Sequence, residues 1–310
     1  MNGGLVSLQL PTRAPFNLEA TVRVLQRRPS NLVDVWESDR YVRLLESDEH
    51  DILVEVENRG SIDFPEVYYS VRGGDPSAAV TVKLRKMLGL DVNPAFLRLP
   101  APIDGALHAA VLALRGLRPP RFANLFESCV NVIPFQQLSL DAGVAIVGRL
   151  IQRLGRRVEH AGRQYYGSPT AHSIATARMQ QLRACGLSRI KAETLRNLAH
   201  IVEAGELTED AISQMTSQQA IKVLMELPGI GPWSAALVLL RGFGRLDVFP
   251  QGDAGAARGL GALLHLDEHT SVDRAVERFG DRRGYLYFCG LGASLLTSGL
   301  IHPASPMQSG

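Results

Sequence analysis

The sequence predicts an α+β fold: an antiparallel N-terminal sheet with a helix, followed by a mostly α-helical, two-lobed bundle carrying a helix-hairpin-helix. Two patterns predict it. From Phe16 to about Arg72, apolar and polar residues alternate in short runs separated by turn residues, as half-buried strands do. Beyond Leu99-Pro100-Ala101-Pro102 the runs lengthen to helical spacing broken by glycine and proline. The chain is therefore expected to divide into residues 1–102 and 103–310, with the hairpin at about 217–242.

Taken in order, Ala20 to Gln26, Leu32 to Glu37, Tyr41 to Glu46 and Ile52 to Glu57 each read as a strand, with breaks at Pro29 and Asn58-Arg59-Gly60. Charges at alternate positions give the sheet one wet face. Ser77 to Leu88 reads as a helix with Val80, Val82, Leu84 and Leu88 apolar. Helices are then expected at Gly105 to Leu114, Phe122 to Ile133, Leu138 to Leu154, Ala171 to Ala184, Lys191 to Ala204, Glu209 to Met215 and Ser217 to Glu226. The hairpin's second helix, Trp233 to Arg241, follows, then Asp253 to Leu264, Ser271 to Phe279 and Tyr285 to Leu300. Residues Gly155 to Thr170, with Gly162, Gly167 and Pro169, read as a surface loop. Two groups of short helices would leave a cleft.

The 310 residues suffice for two sizeable cores, and the net charge of +2 gives no basic tail. Residues 1–100 carry 12 Lys+Arg against 14 Asp+Glu, and the rest carries 21 against 17, so the helical part is the more basic. That split fits a nucleic-acid-facing C-terminal part without requiring one. Cys129, Cys185 and Cys289 are odd in number and far apart, which excludes a disulfide framework, zinc spacing or an iron–sulfur cluster and points to core packing. Eight scattered histidines, among them His160, His172 and His269, show no ligand spacing, so no catalytic metal is expected. With no signal peptide and no apolar run of about 18 residues, a soluble intracellular chain without a membrane partner is expected.

The chemistry-bearing stretch is Leu227-Pro228-Gly229-Ile230-Gly231-Pro232-Trp233-Ser234-Ala235, with Asp253 downstream. One helix runs into a Gly-x-Gly turn and straight out into another. Glycines adopt backbone angles closed to other residues, so Gly229 and Gly231 make the turn tight and leave its N–H groups bare at a helix start. There the helix dipole favours an anion such as a backbone phosphate. The plain alternative is a compact αα-corner. Against it stand Leu227-Pro228 as an apolar, rigid entry, small residues from Ser234 to Ala236, and the apolar run Leu237 to Leu240. No Gly-Lys-Ser/Thr follows, so this is not a nucleotide P-loop.

These residues resemble the helix-hairpin-helix glycosylases of base-excision repair, most of all the bacterial 3-methyladenine DNA glycosylase II family. The likeness is carried by Leu227 to Ala235 and by Asp247-Val248-Phe249-Pro250-Gln251-Gly252-Asp253. It continues in Phe126 to Val130, Gln136-Gln137-Leu138-Ser139, Gly186-Leu187-Ser188 and Lys191-Ala192. It is strong from Phe126 to Asp253 and covers roughly Phe16 onward. The resemblance implies a monomeric cytoplasmic protein that works on double-stranded DNA in a bacterial nucleoid, with no cofactor apart from a monovalent cation held by hairpin carbonyls. Leu227, Gly229, Ile230, Gly231 and Ser234 are implied to bind DNA, with Gln136 and Gln137 in the segment that fills the gap left by a flipped base.

The implied reaction removes a base through a positively charged sugar, which a nearby carboxylate stabilises while it orients or deprotonates water. Asp253 is the expected carboxylate, although it also suits a helix N-cap, and both roles are compatible. Asp247 is expected to hydrogen-bond structurally. Where bifunctional relatives carry a nucleophilic lysine this chain has Trp233, so no strand cleavage is expected; Lys191 and Lys222 are available for it, but no motif supports either. The base pocket is expected to involve Trp233, Leu237, Ala254 and Tyr285, with Tyr287 and Phe288 nearby. Leu237 and Ala254 replace family aromatics, which weakens attraction for cationic alkylated bases and admits neutral lesions. Arg241, Arg245 and Arg258 are placed to meet phosphates or to be ordinary surface charge. The alternative to an enzyme is an inactive protein that uses the same hairpin to recognise DNA structure or damage.

Overall fold

The computed structural model describes residues 6–46, 51–74, 76–99, 105–266 and 271–304. The strand-rich part runs β1 (Ser7–Gln9), α1 (Leu18–Gln26), β2 (Val35–Glu37), β3 (Arg40–Glu46), β4 (Asp51–Asn58), β5 (Val67–Arg72), α2 (Ala78–Met87) and α3 (Gly105–Ala113). Next come α4 (Leu125–Val130), α5 (Leu140–Leu154), β6 (Gly155–His160), β7 (Arg163–Pro169), α6 (Ala171–Ala175), α7 (Met179–Ala184) and α8 (Arg189–Glu203). The chain continues with α9 (Glu209–Gln214), α10 (Ser217–Met225), α11 (Pro232–Val238), α12 (Ala254–Leu263), α13 (Val272–Glu277) and α14 (Arg283–Thr297).

Packing gathers these elements into two compact units. The first takes the chain up to Pro29, Asp34–Arg121 and everything from Gly252 on; the second takes Ser30–Val33 and Phe122–Gln251. The change from strands to helices near residue 102 is thus a change of character, while compactness draws a different line. Asp253 falls in the first unit and the hairpin in the second.

In the first unit an antiparallel five-stranded sheet has the order β1-β5-β4-β3-β2, a meander from β2 to β5 closed at one edge by β1. Its wet face carries the expected cross-strand charges: Arg40 bridges Glu55 and Glu57, and Arg72 bridges Glu55. The other side holds a buried pair, Arg43 to Asp34, whose carboxylate also accepts from the Tyr41 hydroxyl at 2.7 Å. Helix α14 packs on α1, α3 and α12.

Two expectations fail, each for its own reason. Ala20 to Gln26 is helix, not strand: Asn17 caps α1 by accepting from Ala20 N–H, and half-buried Glu19 and Arg23 pair one turn apart on its polar side, a spacing that a strand begun at Ala20 leaves out. Gly155 to Thr170 is no loop but the hairpin β6–β7, whose two-residue turn Ala161-Gly162 has φ of 51° and 75°. Those are the left-handed values that suit strand twist, and the glycines read as loop punctuation serve a hairpin instead. Ala171 to Ala184 likewise splits into α6 and α7. Strands β1 and β5 were not foreseen. No helix among the described residues is long and apolar enough to cross a membrane.

Candidate functional site

The second unit builds the hairpin from helices α10 and α11. Thr216 caps α10 in a capping box with Gln219, and Ser217 donates from its hydroxyl to Asp247 at 3.0 Å, which gives Asp247 the structural role expected of it. Only one of the two glycines uses a special conformation. Gly229 has φ +85°, and a Cβ there would lie 2.0 Å from Thr194 Oγ1 on α8. Gly231 is extended, with φ −94° and ψ 178°, and a Cβ there would meet nothing within 4 Å. Gly231 is also the N-cap of α11, and no side chain caps that start. Neither backbone strain nor packing asks for glycine at 231.

Ile230 is buried beneath the turn, Leu227 and Trp233 are half-buried, and Ser234 and Leu237 are buried. Ser234 Oγ accepts a hydrogen bond from Gln136 Nε2 at 2.9 Å, and the same amide donates to Gly229 O at 2.9 Å. The structure therefore uses Gln136 to tie the segment after α4 to the hairpin. Gln137, next in the chain, is exposed and has φ +55°. Lys191 on α8 donates from Nζ to Pro134 O at 3.1 Å and to Gln136 O at 2.6 Å, and burial pulls its ammonium pKa below the ordinary lysine value. The sequence reading missed that Lys191 and Thr194, one turn apart on α8, support both loops. Both act on backbone distant in sequence, so no local spacing signals them.

Hairpin carbonyls already have donors: Leu227 O accepts from Ile230 N–H and Gly229 O from Gln136. Each carbonyl keeps a second lone pair, so the turn retains oxygen ligands for the implied monovalent cation. Among the described residues no group of three or more His, Cys, Asp or Glu is arranged to hold a metal ion.

Two arginines expected near phosphates are elsewhere. Arg241 is fully buried, its guanidinium 4.7 Å from the centre of the Phe122 ring. Arg245 donates to the carbonyls of Ser213 and Met215 after α9. Arg258 is exposed. The cysteines are all buried, with the thiols of Cys129 and Cys289 pushed up to about 12 by burial. His172 is exposed, His160 is half-buried, and His269 lies outside the described residues.

In the first unit, Asp253 is half-buried and caps α12: its Oδ1 accepts from Ala256 N–H at 2.8 Å. The cap fixes the carboxylate, and its backbone approach is fixed too. Gly252, with φ +73°, donates its N–H to Asp273 Oδ2 at 3.1 Å. Asp273 was another residue the sequence reading passed over. A Cβ at Gly255 would come within 3.1 Å of Asp253 Oδ1, so glycine there keeps the carboxylate uncrowded. Ala254 is exposed. Tyr285 is buried and donates its hydroxyl to Leu117 O at 3.1 Å; Tyr287 accepts from Arg27 at 2.7 Å. Such a molecule can offer a phosphate a helix start with no side-chain cap, and a sugar cation a pinned carboxylate.

Comparison with known proteins gives two family matches: residues 130–281 match the HhH-GPD superfamily base excision DNA repair protein model, and residues 7–124 match the AlkA N-terminal domain. The chain is 32% identical over 182 residues to DNA-3-methyladenine glycosylase 2 of Escherichia coli, covering 58% of this chain and 61% of that protein. With DNA-3-methyladenine glycosylase of Bacillus subtilis it is 26% identical over 177 residues, covering 57% and 58% respectively. The match thus spans about three fifths of each curated relative. A solved structure described as 3-methyladenine DNA-glycosylase from Archaeoglobus fulgidus superposes with TM-score 0.75 at 28% identity, covering 94% of this chain and 99% of that one. On the hairpin, the N-terminal sheet and these matches together, residues 130–281 belong to the HhH-GPD superfamily of base-excision DNA repair proteins and residues 7–124 to the AlkA N-terminal domain family.

Proposed function

We propose that this protein is a monofunctional DNA glycosylase, hydrolysing the N-glycosidic bond of flipped, alkylated purines in duplex DNA. What supports the reading is the occurrence, in one chain, of an uncapped helix start at Gly231 and a carboxylate pinned at Asp253. The relatives named above for 3-methyladenine release point to the same class of base. In this reading the hairpin holds the backbone, the segment at Gln137 fills the vacated stack, and Asp253 stabilises the sugar cation and directs water to it.

Trp233 stands where a Schiff-base lysine would be, and an indole cannot attack the sugar. Lys191 is committed to two carbonyls and Lys222 is exposed on α10, so neither supports a lyase. With Leu237 and Ala254 lacking π faces, Trp233 carries most of the attraction for a cationic base. The substrate range is therefore proposed to extend to neutral purine lesions. Tyr285, whose hydroxyl is bonded to Leu117, has the least support of the four pocket residues.

The test is base release from methylated duplex DNA, with products separated by chromatography. Wild type should release 3-methyladenine or 7-methylguanine and Asp253→Asn should not. Wild type binding the duplex yet releasing neither these nor neutral lesions would leave a protein that only recognises DNA. Borohydride should trap no covalent adduct.

A further inference from the structure

Phe135-Gln136-Gln137-Leu138 closes on itself: Leu138 N–H donates to Phe135 O at 3.1 Å. Gln136 has φ −51° and ψ 124°, and Gln137 has φ +55°. These are the angles of a type II turn, which favours glycine at its third position because the central carbonyl crowds a Cβ there. Here that third residue is Gln137, a poor occupant. The same four residues satisfy a type I turn better, and the two differ by a flip of the central peptide, whose carbonyl is that of Gln136. Lys191 Nζ lies 2.6 Å from that oxygen and also bonds Pro134 O at 3.1 Å. Phe135 is seated by Gly143, where a Cβ would fall 2.2 Å from its ring. The Gln136 side chain is held to Gly229 and Ser234.

We propose that Lys191 is a positioning residue: its ammonium clamps the flipped Gln136–Gln137 peptide, and so keeps Gln137 in the left-handed conformation that presents it to the gap left by a flipped base. The inference rests on the function proposed above. A neutral or absent side chain at 191 lets the central peptide swing back, taking Gln137 to negative φ and turning its side chain away. The hairpin itself, resting on Thr194, keeps its own grip on the backbone.

The test compares affinity for a duplex containing a tetrahydrofuran abasic-site analogue with affinity for the intact duplex, in wild type, Lys191→Met, Gln137→Ala and the double variant. Lys191→Met should lower the preference for the abasic duplex about tenfold while intact-duplex affinity stays put. In the Gln137→Ala background the same change should add nothing, because the residue it positions is already gone. A merely structural role would reduce both affinities alike and act equally in both backgrounds. Unchanged preference in Lys191→Met, or equal losses in the two backgrounds, overturns the inference. Should Lys191→Met fail to fold, Lys191→Gln, which keeps one donor, is expected to lose part of the preference, and no loss overturns the inference equally. A wild type with no preference for the abasic duplex and no base release defeats the proposed function and the clamp with it; a wild type with both and an unaltered Lys191→Met defeats the clamp alone.

Discussion

Two glycines two residues apart in one motif, Gly229 and Gly231, do different things, and substitution separates them. Gly229→Ala places a methyl group into Thr194 and demands a left-handed alanine, so it should destabilise the protein by about 2 kcal/mol or more. Gly231→Ala meets neither obstacle and gives up only the advantage of glycine over alanine at an N-cap, so it should cost no more than about 1 kcal/mol. Its affinity for duplex DNA should nevertheless fall, because the methyl stands between a phosphate and the helix start. Denaturant titration and a duplex-binding isotherm check both; equal stability losses would refute the distinction. Asp253 divides along the same line. Asparagine is as good a cap as aspartate, so Asp253→Asn should keep stability and lose base release, whereas Asp253→Ala should lose about 1 kcal/mol as well. An Asp253→Asn protein that retained full activity would reduce Asp253 to a cap.

Elements were legible where local chemistry and burial agreed. Ser77, Ser139, Ser188, Thr208 and Thr216 each cap the helix that follows, within two residues of the expected starts. Helix α1 was illegible because its Thr21, Val22 and Val24 favour strands by propensity, a false signal that outweighed the one-turn spacing of Glu19 and Arg23. Hairpin β6–β7 was illegible for the opposite reason: its turn is written Ala161-Gly162, where the usual signal is Asn-Gly. That mismatch makes a prediction. Ala161→Asn relieves a left-handed alanine and should stabilise the protein by about 0.5–1 kcal/mol, read as a higher denaturant midpoint with unchanged slope. A lower midpoint would mean the turn is held by something beyond its own two residues. In the candidate site, the hairpin and Asp253 could be read directly as sequence motifs. The supports at Lys191, Thr194 and Asp273 could not, because each acts on backbone atoms 21 to 57 residues away in sequence.

Among the described residues of both units, buried thiols and phenols hold their protons beyond the ordinary range. Burial pushes the thiols of Cys129, in the second unit, and Cys289, in the first, from 9.0 up to about 12. It raises the hydroxyls of Tyr41 and Tyr285, both in the first unit, well above the ordinary value, helped by Asp34 beside Tyr41 and by Cys289 beside Tyr285. In every case the folded protein holds a proton that the unfolded chain releases at lower pH. For the two thiols the stability tied to those protons is whole below pH 9 and is lost as pH climbs from about 9 toward 12, and for the two hydroxyls the loss begins only above about pH 10. Denaturant midpoints should therefore hold level through neutral pH and fall steeply above pH 9. The first unit, with three such groups against Cys129 and the smaller rise at Cys185, should fall first. Cys289→Ala sacrifices some packing but removes one titrating group, so the variant should start less stable at pH 7 and decline with a shallower slope. A variant whose slope above pH 9 matched that of wild type would show that the alkaline loss comes from elsewhere, and that the cysteine in α14 is tied to packing alone.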